Sequence, residues 1–336
     1  MNFAAAYAGQ VICITGAGGY IGSTLVKALA PHAPGLLILL DTSEYGLFEI
    51  QRWNSSTHPN VSCEFILGGV NDVRLLNYMF TRFRVQTVFH AAAFKHVGLL
   101  EQNPFAAITN NALASYTFVS AASRRHVSKF VLLSTDKAVN PHSVMGVSKR
   151  LAELFTLAIS GTNVIRLGNV IGSTGSVIPV FLDQIENGRS LSVTHPEASR
   201  YFISRNEAVM SILAAGLATD DGTVLLPEFA PPVRIADLAA FLIGGRSMPV
   251  CFTGLRPGEK LTEDLTGPDE TEIGTIDGPL HVLRTRRFSH VECEEAVQRL
   301  SNCITSGNLG GLLDVICALV PEYVPSSLMR EHTVLA

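Results

Sequence analysis

Residues 11 to 22 read Val-Ile-Cys-Ile-Thr-Gly-Ala-Gly-Gly-Tyr-Ile-Gly, and this stretch decides the predicted fold. Its first five residues are a β-branched apolar run typical of a buried strand, and residues 23 to 29 continue with helical periodicity. Gly16, Gly19 and Gly22 stand between strand and helix, where glycine permits a tight turn, close approach of a diphosphate and close helix–strand packing. The free N–H groups at the helix start would also face a phosphate. The stretch therefore predicts nucleotide binding, with a plain structural turn as the alternative.

The next apolar run, residues 36 to 40, predicts a second strand that ends at Asp41. This acid follows the glycine motif by about 20 residues, where a carboxylate accepts hydrogen bonds from the adenosine ribose hydroxyls of a dinucleotide. A carboxylate there would repel the 2′-phosphate of NADP, and no arginine follows directly. Asp41 therefore predicts NAD rather than NADP, with capping of the following turn as its alternative role.

Strand-like runs alternate with helical stretches through residue 168. This alternation predicts an α/β fold with a Rossmann-type doubly wound parallel sheet. A chain of 336 residues is too long for one small core, so a smaller C-terminal substrate-binding lobe is expected beside the sheet. The predicted NAD-binding domain comprises residues 1–168 and about 203–240, and the predicted lobe comprises residues 169–202 and about 241–336.

The composition indicates a well-buried globular chain, because 47% of its residues are hydrophobic and 16% are charged. The net charge of −4 and the lack of a basic run give no support to nucleic-acid binding. The six cysteines form no CxxC pair and no zinc-like spacing with histidine, which predicts free thiols in a reducing cytosol and no metal site. Residues 1 to 26 are uncharged, but they lack a basic start and contain five glycines, so we expect a cytoplasmic protein without a membrane span.

A polar exit follows the apolar strand predicted at residues 130 to 133. It reads Ser134-Thr135-Asp136-Lys137, so an acid and an amine stand side by side at the carboxyl end of the strand. Ligands bind at this edge of open parallel sheets, which makes Thr135, Asp136 and Lys137 candidate catalytic residues. Alternatively, these residues only cap the next helix, or the acid and the amine form a structural salt bridge.

Small residues follow another strand, at residues 87 to 90, and would let a cofactor lie against the backbone. These small residues are Ala91, Ala92 and Ala93. Lys95 and His96 come next at the same sheet edge, and Asn111 lies in the following helical stretch. Taken alone, Lys95 and His96 could be solvated loop residues and Asn111 an ordinary surface amide.

Further motifs accompany these pieces. The full set is Ile14-Thr-Gly-Ala-Gly-Gly-Tyr-Ile-Gly22, His90-Ala-Ala-Ala-Phe-Lys-His-Val97, Ser134-Thr-Asp-Lys-Ala-Val-Asn-Pro141, Val144-Met-Gly146, Ser148-Lys-Arg150, Arg166-Leu-Gly-Asn-Val170, Gly175-Ser-Val-Ile-Pro179, Thr194-His-Pro196, Arg200-Tyr-Phe202, Gly254-Leu-Arg-Pro-Gly-Glu-Lys260 and Leu319-Val-Pro-Glu-Tyr323. In this combination the chain resembles an extended short-chain dehydrogenase/reductase. More narrowly, it resembles the CapD-like polysaccharide biosynthesis proteins, which are nucleotide-sugar 4,6-dehydratases acting on UDP-N-acetylglucosamine.

The chain departs from the pattern of that family in three places. Gly68-Gly69-Val70 stands where Gly-Asp-Val, with a carboxylate contact to adenine, is usual, and His142-Ser143 stands where Thr-Asn is common. Residues 267–278 have no clear counterpart in the family.

The resemblance implies an internal redox elimination. The sugar would be oxidised at C4, lose water across C5 and C6, and receive hydride at C6, giving a UDP-4-keto-6-deoxy sugar and regenerated NAD. Lys137 would remove the C5 proton as a neutral amine, with its pKa lowered by burial and nearby cations. Asp136 would protonate the leaving 6-hydroxyl as general acid.

The residue at position 145 affects the first step, the oxidation at C4. Most short-chain dehydrogenases use Tyr-x-x-x-Lys, whereas this chain has Met145-x-x-x-Lys149 on one helix face. A thioether has no proton to exchange, so Thr135 and Asp136 would relay the proton at C4, and Lys149 would hold the nicotinamide ribose. The CapD-like group shares this Met, which suggests retention of configuration at C5.

The resemblance also assigns binding residues. The cofactor contacts would be Gly16, Gly18, Gly19, Tyr20, Ile21, Gly22, Asp41, Ala91, Ala92, Ala93, Asn111 and Lys149. The substrate contacts would be Lys95, His96, Asn169, Ser176, Val177, Pro179, Arg200, Arg256 and Glu259. The two arginines would bind the diphosphate through their planar forks, although either could instead be a surface charge. The expected partners are a UDP-sugar and further copies of the chain in a homo-oligomer.

Two alternatives stay open. The first is an epimerase, or a dehydratase that acts on a different nucleotide sugar; a UDP-sugar 4-epimerase normally keeps the tyrosine, so Met145 counts against it. The second is a non-catalytic NAD-sensing protein, against which Thr135, Asp136 and Lys137 count.

Overall fold

The computed structural model describes residues 1–276 and 280–334, with side chains described through residue 331. Its strands are β1 Val11–Thr15, β2 Leu36–Asp41, β3 Cys63–Leu67, β4 Thr87–His90, β5 Lys129–Thr135, β6 Thr162–Leu167, β7 Asn169–Val170, β8 Leu191–Val193, β9 Ser199–Arg200, β10 Phe202–Ile203, β11 Val224–Pro227, β12 Val233–Arg234, β13 Val250–Phe252, β14 Thr271–Ile276 and β15 Leu280–Arg284. Its helices are α1 Phe3–Tyr7, α2 Tyr20–Leu29, α3 Glu44–Thr57, α4 Val73–Arg82, α5 Val97–Glu101, α6 Pro104–Ala107, α7 Ala114–Ser123, α8 Val144–Leu157, α9 Val177–Glu186, α10 Arg205–Ala215, α11 Ile235–Ile243, α12 His290–Thr305, α13 Leu309–Leu319 and α14 Ser327–Val334.

The main sheet confirms the doubly wound prediction. Its strand order is β14-β15-β11-β6-β5-β4-β1-β2-β3, and the strands from β3 to β11 are parallel. The order reverses between β1 and β4, which is the switch point where open α/β sheets bind ligands at the carboxyl ends of their strands. Thr15, His90 and Thr135 end β1, β4 and β5, so they share this edge.

Apolar helix faces cover both sides of the sheet. Leu25 of α2 and Ile212 of α10 are fully buried in the cluster on one side, and Met79 of α4 and Phe118 of α7 are fully buried in the cluster on the other. The strands β1 and β2 between them are apolar along nearly their whole length, as burial on two sides requires. All six cysteines are free thiols, as predicted. None of the helices in the described ranges combines the length and the apolar character that crossing a bilayer requires.

The smaller lobe differs from the predicted boundaries in one helix. Its core joins Phe181 of α9 and Leu191 of β8 to Ile235 and Ala239 of α11. Helix α11 therefore packs with the lobe, although most of it was assigned to the NAD-binding domain. An apolar helix sequence shows that the helix is buried but does not show which neighbour buries it.

The C-terminal part requires a second correction. Strand β15 pairs antiparallel with β11 and β14 pairs with β15, so this hairpin extends the main sheet. Helices α12 and α13 pack on α8 through Leu300, Leu312 and Leu151. These elements belong with the sheet domain, whereas the sequence prediction placed residues from about 241 onward in the lobe.

Candidate active site

The glycine loop between β1 and α2 has no room for side chains. Gly16 has φ +63°, and a Cβ on it would lie 2.8 Å from the backbone nitrogen of Ala92. A Cβ on Gly22 would lie 2.0 Å from the carbonyl oxygen of Gly16, so this glycine is needed where α2 crosses the loop. The N-cap of α2 is Gly19, which provides no side-chain cap. The first N–H groups of the helix therefore have no side-chain cap, which leaves them free to face a phosphate.

Asp41 holds the glycine loop against the end of β2. Its Oδ2 accepts a hydrogen bond from the N–H of Gly18 at 2.7 Å, and its Oδ1 accepts one from the N–H of Ser43 at 2.8 Å. The turn-capping alternative is thus present in the structure. A carboxylate has about four lone-pair positions, so capping leaves acceptor capacity for ribose hydroxyls.

Asn111 lies in a π-helical turn, Ile108–Leu113, and is fully buried. Its Oδ1 accepts from the N–H of Phe94, and its Nδ2 donates to the carbonyl of Phe94 and to Ser148 Oγ. The side chain clamps the loop after β4, which contains Ala91 to Ala93. Asn111 therefore shapes the wall of the predicted cofactor site through hydrogen bonds to the chain itself.

Met145 and Lys149 do share one face of α8, but their surroundings differ. Met145 is 4% exposed and packs in an apolar cluster with Leu100, Val144 and Met329, so it shows no chemical role. Lys149 is also buried, and its Nζ donates to the carbonyl oxygen of Leu133 at 2.6 Å. Burial lowers the pKa of Lys149 to about 8, opposed by the carboxylate of Glu153.

Asp136 and Lys137 form an ion pair at the end of β5. Lys137 Nζ donates to Asp136 Oδ1 and to Asn169 Oδ1, both at 2.9 Å. Thr135 Oγ1 donates to the same Asp136 oxygen at 2.9 Å. Asp136 is fully buried, and its Oδ2 has no hydrogen-bond partner among the described residues. Most buried polar atoms are hydrogen-bonded, so this oxygen marks Asp136 as a candidate functional group.

The charge of Lys137 differs from the sequence prediction. Burial acts to lower the pKa of Lys137, but the carboxylates of Asp136 and Glu263 outweigh it and leave that pKa raised. The prediction of a lowered pKa was therefore wrong for this arrangement. It considered cations near the amine and missed Glu263, whose carboxylate lies 3.7 Å away.

A cavity of about 130 Å³ adjoins the ion pair. Its charged and polar lining includes Lys137, His142, Arg200, Glu259, Lys260 and Glu263. The sequence prediction brought Lys137, Arg200 and Glu259 to one site, and the structure places all three here. It did not assign roles to Lys260 and Glu263, because no spacing signal shows that a loop residue will fold back onto β5.

The two predicted arginines differ in their surroundings. Arg200 donates to the carbonyls of Ser199, Lys260 and Leu261. Its guanidinium group therefore connects β9 to the loop at residues 260–261. Arg256 has an exposed side chain, and its N–H donates to Glu259 Oε2 at 3.2 Å. Arg256 is therefore the more accessible cation, while Arg200 would have to exchange some of these bonds to bind a diphosphate.

The loop at residues 171–176 lies against several predicted site residues. Lys95 Nζ donates to the carbonyl of Thr174 at 2.7 Å, and a Cβ on Gly175 would lie 2.8 Å from the ring of His96. Tyr20 Oη donates to the carbonyl of Ile171 at 2.8 Å. The glycine motif and the loop after β4 thus both touch the segment that leads into α9. Ser176, the N-cap of α9, has an Oγ without a hydrogen-bond partner among the described residues, and Val177 and Pro179 lie in the first turn of that helix.

A buried network of charges supports β5 and β6 beneath the site. Arg166 is fully buried and makes paired hydrogen bonds of 2.6–2.9 Å to Glu153 and to Glu270. Ser134 Oγ, two residues before Asp136, donates to Glu153 Oε1 at 2.6 Å. Burial raises the pKa of Glu153, but Arg166 and these hydrogen bonds outweigh it and lower that pKa to about 2. Part of the stretch 267–278, which had no expected counterpart, thus supplies Glu270; residues 277 and 278 lie outside the described residues.

A doubly wound sheet with a glycine loop at its switch point is the fold of the extended short-chain dehydrogenase/reductase class. The chain belongs to the family described as "Polysaccharide biosynthesis protein", which matches residues 12–280. A solved structure with this fold is that of Pen from Bacillus thuringiensis, at 25% identity and a TM-score of 0.75, covering 84% of this chain and 92% of that one.

Curated relatives agree with this family. The chain is 39% identical to "Capsular polysaccharide biosynthesis protein CapD" of Staphylococcus aureus over 87% of its own length, and it spans about half, 51%, of that protein. It is 33% identical to "UDP-N-acetylglucosamine 4,6-dehydratase (inverting)" of Campylobacter jejuni, covering 79% of this chain and 80% of that one. It is also 33% identical to "UDP-glucose 4-epimerase" of Rickettsia canadensis, covering 78% and 79%.

Proposed function

We propose that this protein is an NAD-dependent UDP-N-acetylglucosamine 4,6-dehydratase that forms a UDP-4-keto-6-deoxy sugar. The observation that carries the proposal is the buried pair of Asp136 and Lys137 at the carboxyl end of β5. Elimination of water needs an acid and a base on one substrate, and these two groups supply both. The similarity to the Campylobacter jejuni dehydratase supports the choice of sugar.

The residues at the switch point fit a dinucleotide. The glycine loop packs closely on itself and on Ala92 because Gly16 and Gly22 carry no side chain, and α2 presents N–H groups without a side-chain cap that would face a diphosphate. The carboxylate of Asp41 favours ribose hydroxyls over a 2′-phosphate, which supports NAD over NADP. NAD, when bound there, supplies the acceptor and donor of hydride for C4 and C6.

The ion pair can carry the protons of the elimination without exchange with solvent. Moving one proton along the 2.9 Å hydrogen bond from Lys137 to Asp136 gives a neutral amine and a carboxylic acid. Lys137 then takes the C5 proton, and Asp136 gives its proton to the leaving 6-hydroxyl. Both groups end as the ammonium and carboxylate of the original pair. The raised pKa of Lys137 is therefore compatible with its role as base, because the same pair is restored in each turnover.

The oxidation at C4 releases a proton as well as a hydride. The half-buried Thr135 hydroxyl, which is hydrogen-bonded to Asp136, is placed to pass that proton to solvent, so the ion pair is unchanged when the elimination begins. Lys149, whose pKa is lowered to about 8, would donate to the nicotinamide ribose while it is anchored at Leu133. One proton enters from solvent at C5 when hydride returns to C6, and it replaces the proton released at C4, so the overall reaction loses only water.

Mass spectrometry after incubation with NAD and UDP-N-acetylglucosamine tests this proposal. Loss of one water supports the dehydratase, an isomer of equal mass indicates an epimerase, and an unchanged substrate indicates non-catalytic binding.

Lys137→Ala should bind NAD normally and lose about 10²–10⁴-fold in kcat, the usual contribution of a positioned acid or base. Lys27→Ala, on the exposed face of α2, is the matched control and should be unaffected. Normal water loss by Lys137→Ala would show that the assignment is wrong.

A further inference from the structure

Glu263 lies in the segment that follows the Gly254–Lys260 motif and is 6% exposed. Its Oε1 lies 3.7 Å from Lys137 Nζ and 3.6 Å from Arg200 Nε. Its Oε2 lies 3.9 Å from Lys260 Nζ and has no hydrogen-bond partner among the described residues. The carboxylate therefore faces three cations in the cavity that adjoins the ion pair.

We propose that Glu263 is a positioning residue of the reaction centre, which holds the Lys137 amine together with Asp136 and sets how readily that amine gives up its proton. The use of that amine as a base rests on the proposed function. The position of Glu263 beside Lys137 does not depend on the proposed function, because it follows from the distances between the side chains.

The distances indicate that Glu263 acts through its charge. All three cations lie beyond the 2.7–3.2 Å range of a good N–H···O hydrogen bond, but they are close enough for strong electrostatic interaction in a buried site. A buried carboxylate without a full set of hydrogen bonds is unfavourable unless charges compensate it, and the three cations do so.

Several other groups also face Lys137. Asp136 and Asn169 accept its hydrogen bonds, and Arg200 opposes its positive charge. His142, Glu259 and Lys260 line the same cavity. Among these groups, Asp136 and Glu263 are the carboxylates that favour the ammonium form of Lys137, and burial is the largest factor that opposes it.

The two carboxylates beside Lys137 come from different parts of the site. Asp136 belongs to the turn after β5, whereas Glu263 belongs to the loop that also contains Glu259. Lys137 thus lies between a carboxylate of the sheet edge and a carboxylate of the loop predicted to bind the nucleotide. A movement of that loop would change the charge around the proposed base, so binding and proton transfer would be linked through Glu263.

Competitive acetylation measures the charge of Lys137 without turnover. Acetic anhydride at pH 8–9, followed by peptide mass spectrometry, gives the acetylation of Lys137 relative to the exposed Lys27. Glu263→Gln keeps the shape and removes the charge, and this ratio should rise about tenfold or more. The reason is that loss of an opposite charge within about 4–6 Å lowers the pKa of an amine by about 1–3 units. Glu263→Asp keeps the charge and should give a smaller rise.

Asp264→Asn is the matched control. It removes the same charge one residue away, from a carboxylate that is exposed and bonded to Lys260 and Asn140. Its acetylation ratio should equal that of the unmodified protein. Equal ratios for Glu263→Gln and Asp264→Asn, in variants with unchanged circular dichroism, would overturn the inference. If Glu263→Gln does not fold, Glu263→Ala removes the same charge, and a ratio for it equal to that of Asp264→Asn has the same consequence.

Failure of this inference can be distinguished from failure of the proposed function by comparing the activity of Lys137→Ala with the acetylation ratio of Glu263→Gln. Active Lys137→Ala with a raised ratio in Glu263→Gln would refute Lys137 as the base and keep Glu263 as the group that controls its charge. Inactive Lys137→Ala with an unchanged ratio would refute only the role of Glu263.

Discussion

At the scale of single residues, Lys149 has an energetic cost that follows from its burial. Its ammonium group donates to the carbonyl of Leu133, and burial lowers its pKa from 10.5 to about 8. Between these two values the unfolded chain binds more protons than the folded one. By linkage, the contribution of Lys149 to stability therefore increases as the pH rises from about 8 to about 10.5.

Lys149→Met should remove this pH dependence. Urea unfolding at pH 7.5 and pH 9.5 measures the free energy of unfolding of both proteins. The unmodified protein should gain about 2 kcal/mol more than Lys149→Met between these pH values, since one pKa unit corresponds to about 1.4 kcal/mol. Using the difference between the two proteins cancels the titration of the cysteines and tyrosines. Equal changes in both proteins would show that the pKa of Lys149 is not lowered.

The sequence predicted correctly which residues are neighbours in this site when those residues follow the same strand. Thr135, Asp136 and Lys137 are adjacent in the chain, and the apolar run before them identified the sheet edge. The charge of Lys137 could not be predicted, because it depends on Glu263, which comes from a distant loop without periodicity. The hydrogen bonds of Asn111 to Phe94 and Ser148 were not predicted, because a polar residue in a helical stretch gives no sign of which partner it meets.

At the scale of elements, β5, β6 and α8 are joined by buried charges rather than by apolar contacts alone. Arg166 of β6 is held between Glu153 of α8 and Glu270 of the segment before β14. Arg150 of α8 extends the network to Asp269, on the same segment. Fully buried ion pairs contribute little net stability, but removal of one partner leaves an uncompensated charge.

Glu270→Ala should therefore be strongly destabilising. It leaves Arg166 with unpaired donors in a buried site, and we expect a loss of about 3–5 kcal/mol in the free energy of unfolding, measured by urea denaturation. Asp269→Ala is the matched control on the same segment, because its side chain is 40% exposed. It should cost less than about 1 kcal/mol. Similar losses in both variants would mean that burial of Glu270 does not determine the effect.

The same segment shows why the element predictions were incomplete. The parallel strands β1 to β6 were predictable, since each contains a short apolar run that ends at a turn or a polar exit. Strands β14 and β15 were not predicted, because β14 is an exposed edge strand of sequence Thr-Glu-Ile-Gly-Thr-Ile with weak patterning. Their position beside β11 depends on pairing between distant parts of the chain, which no local pattern specifies.

At the scale of the whole molecule, the C-terminal end of the described chain returns to the start of α8. The N–H of Val324 donates to the carbonyl of Pro141 at 2.9 Å, in the loop that leads from Lys137 to α8. Glu101, which is buried, accepts from the N–H of Val144 through Oε1 and from Ser326 Oγ through Oε2 at 2.6 Å. One carboxylate thus joins the tail to the first turn of the helix that carries Lys149.

Ser326→Ala should disturb the site through this contact. It leaves Oε2 of the buried Glu101 without a partner, which should cost about 1–3 kcal/mol in the free energy of unfolding. A small displacement of the α8 start should also lower kcat by about ten- to hundredfold, because reacting groups tolerate little misplacement. NAD affinity, measured by calorimetry, should stay within about twofold, since the glycine loop and Asp41 lie at β1 and β2, away from the tail. Ser327→Ala, at the exposed next position, should change none of these quantities. A Ser326→Ala protein that matched this control would show that Glu101 does not couple the tail to the active site.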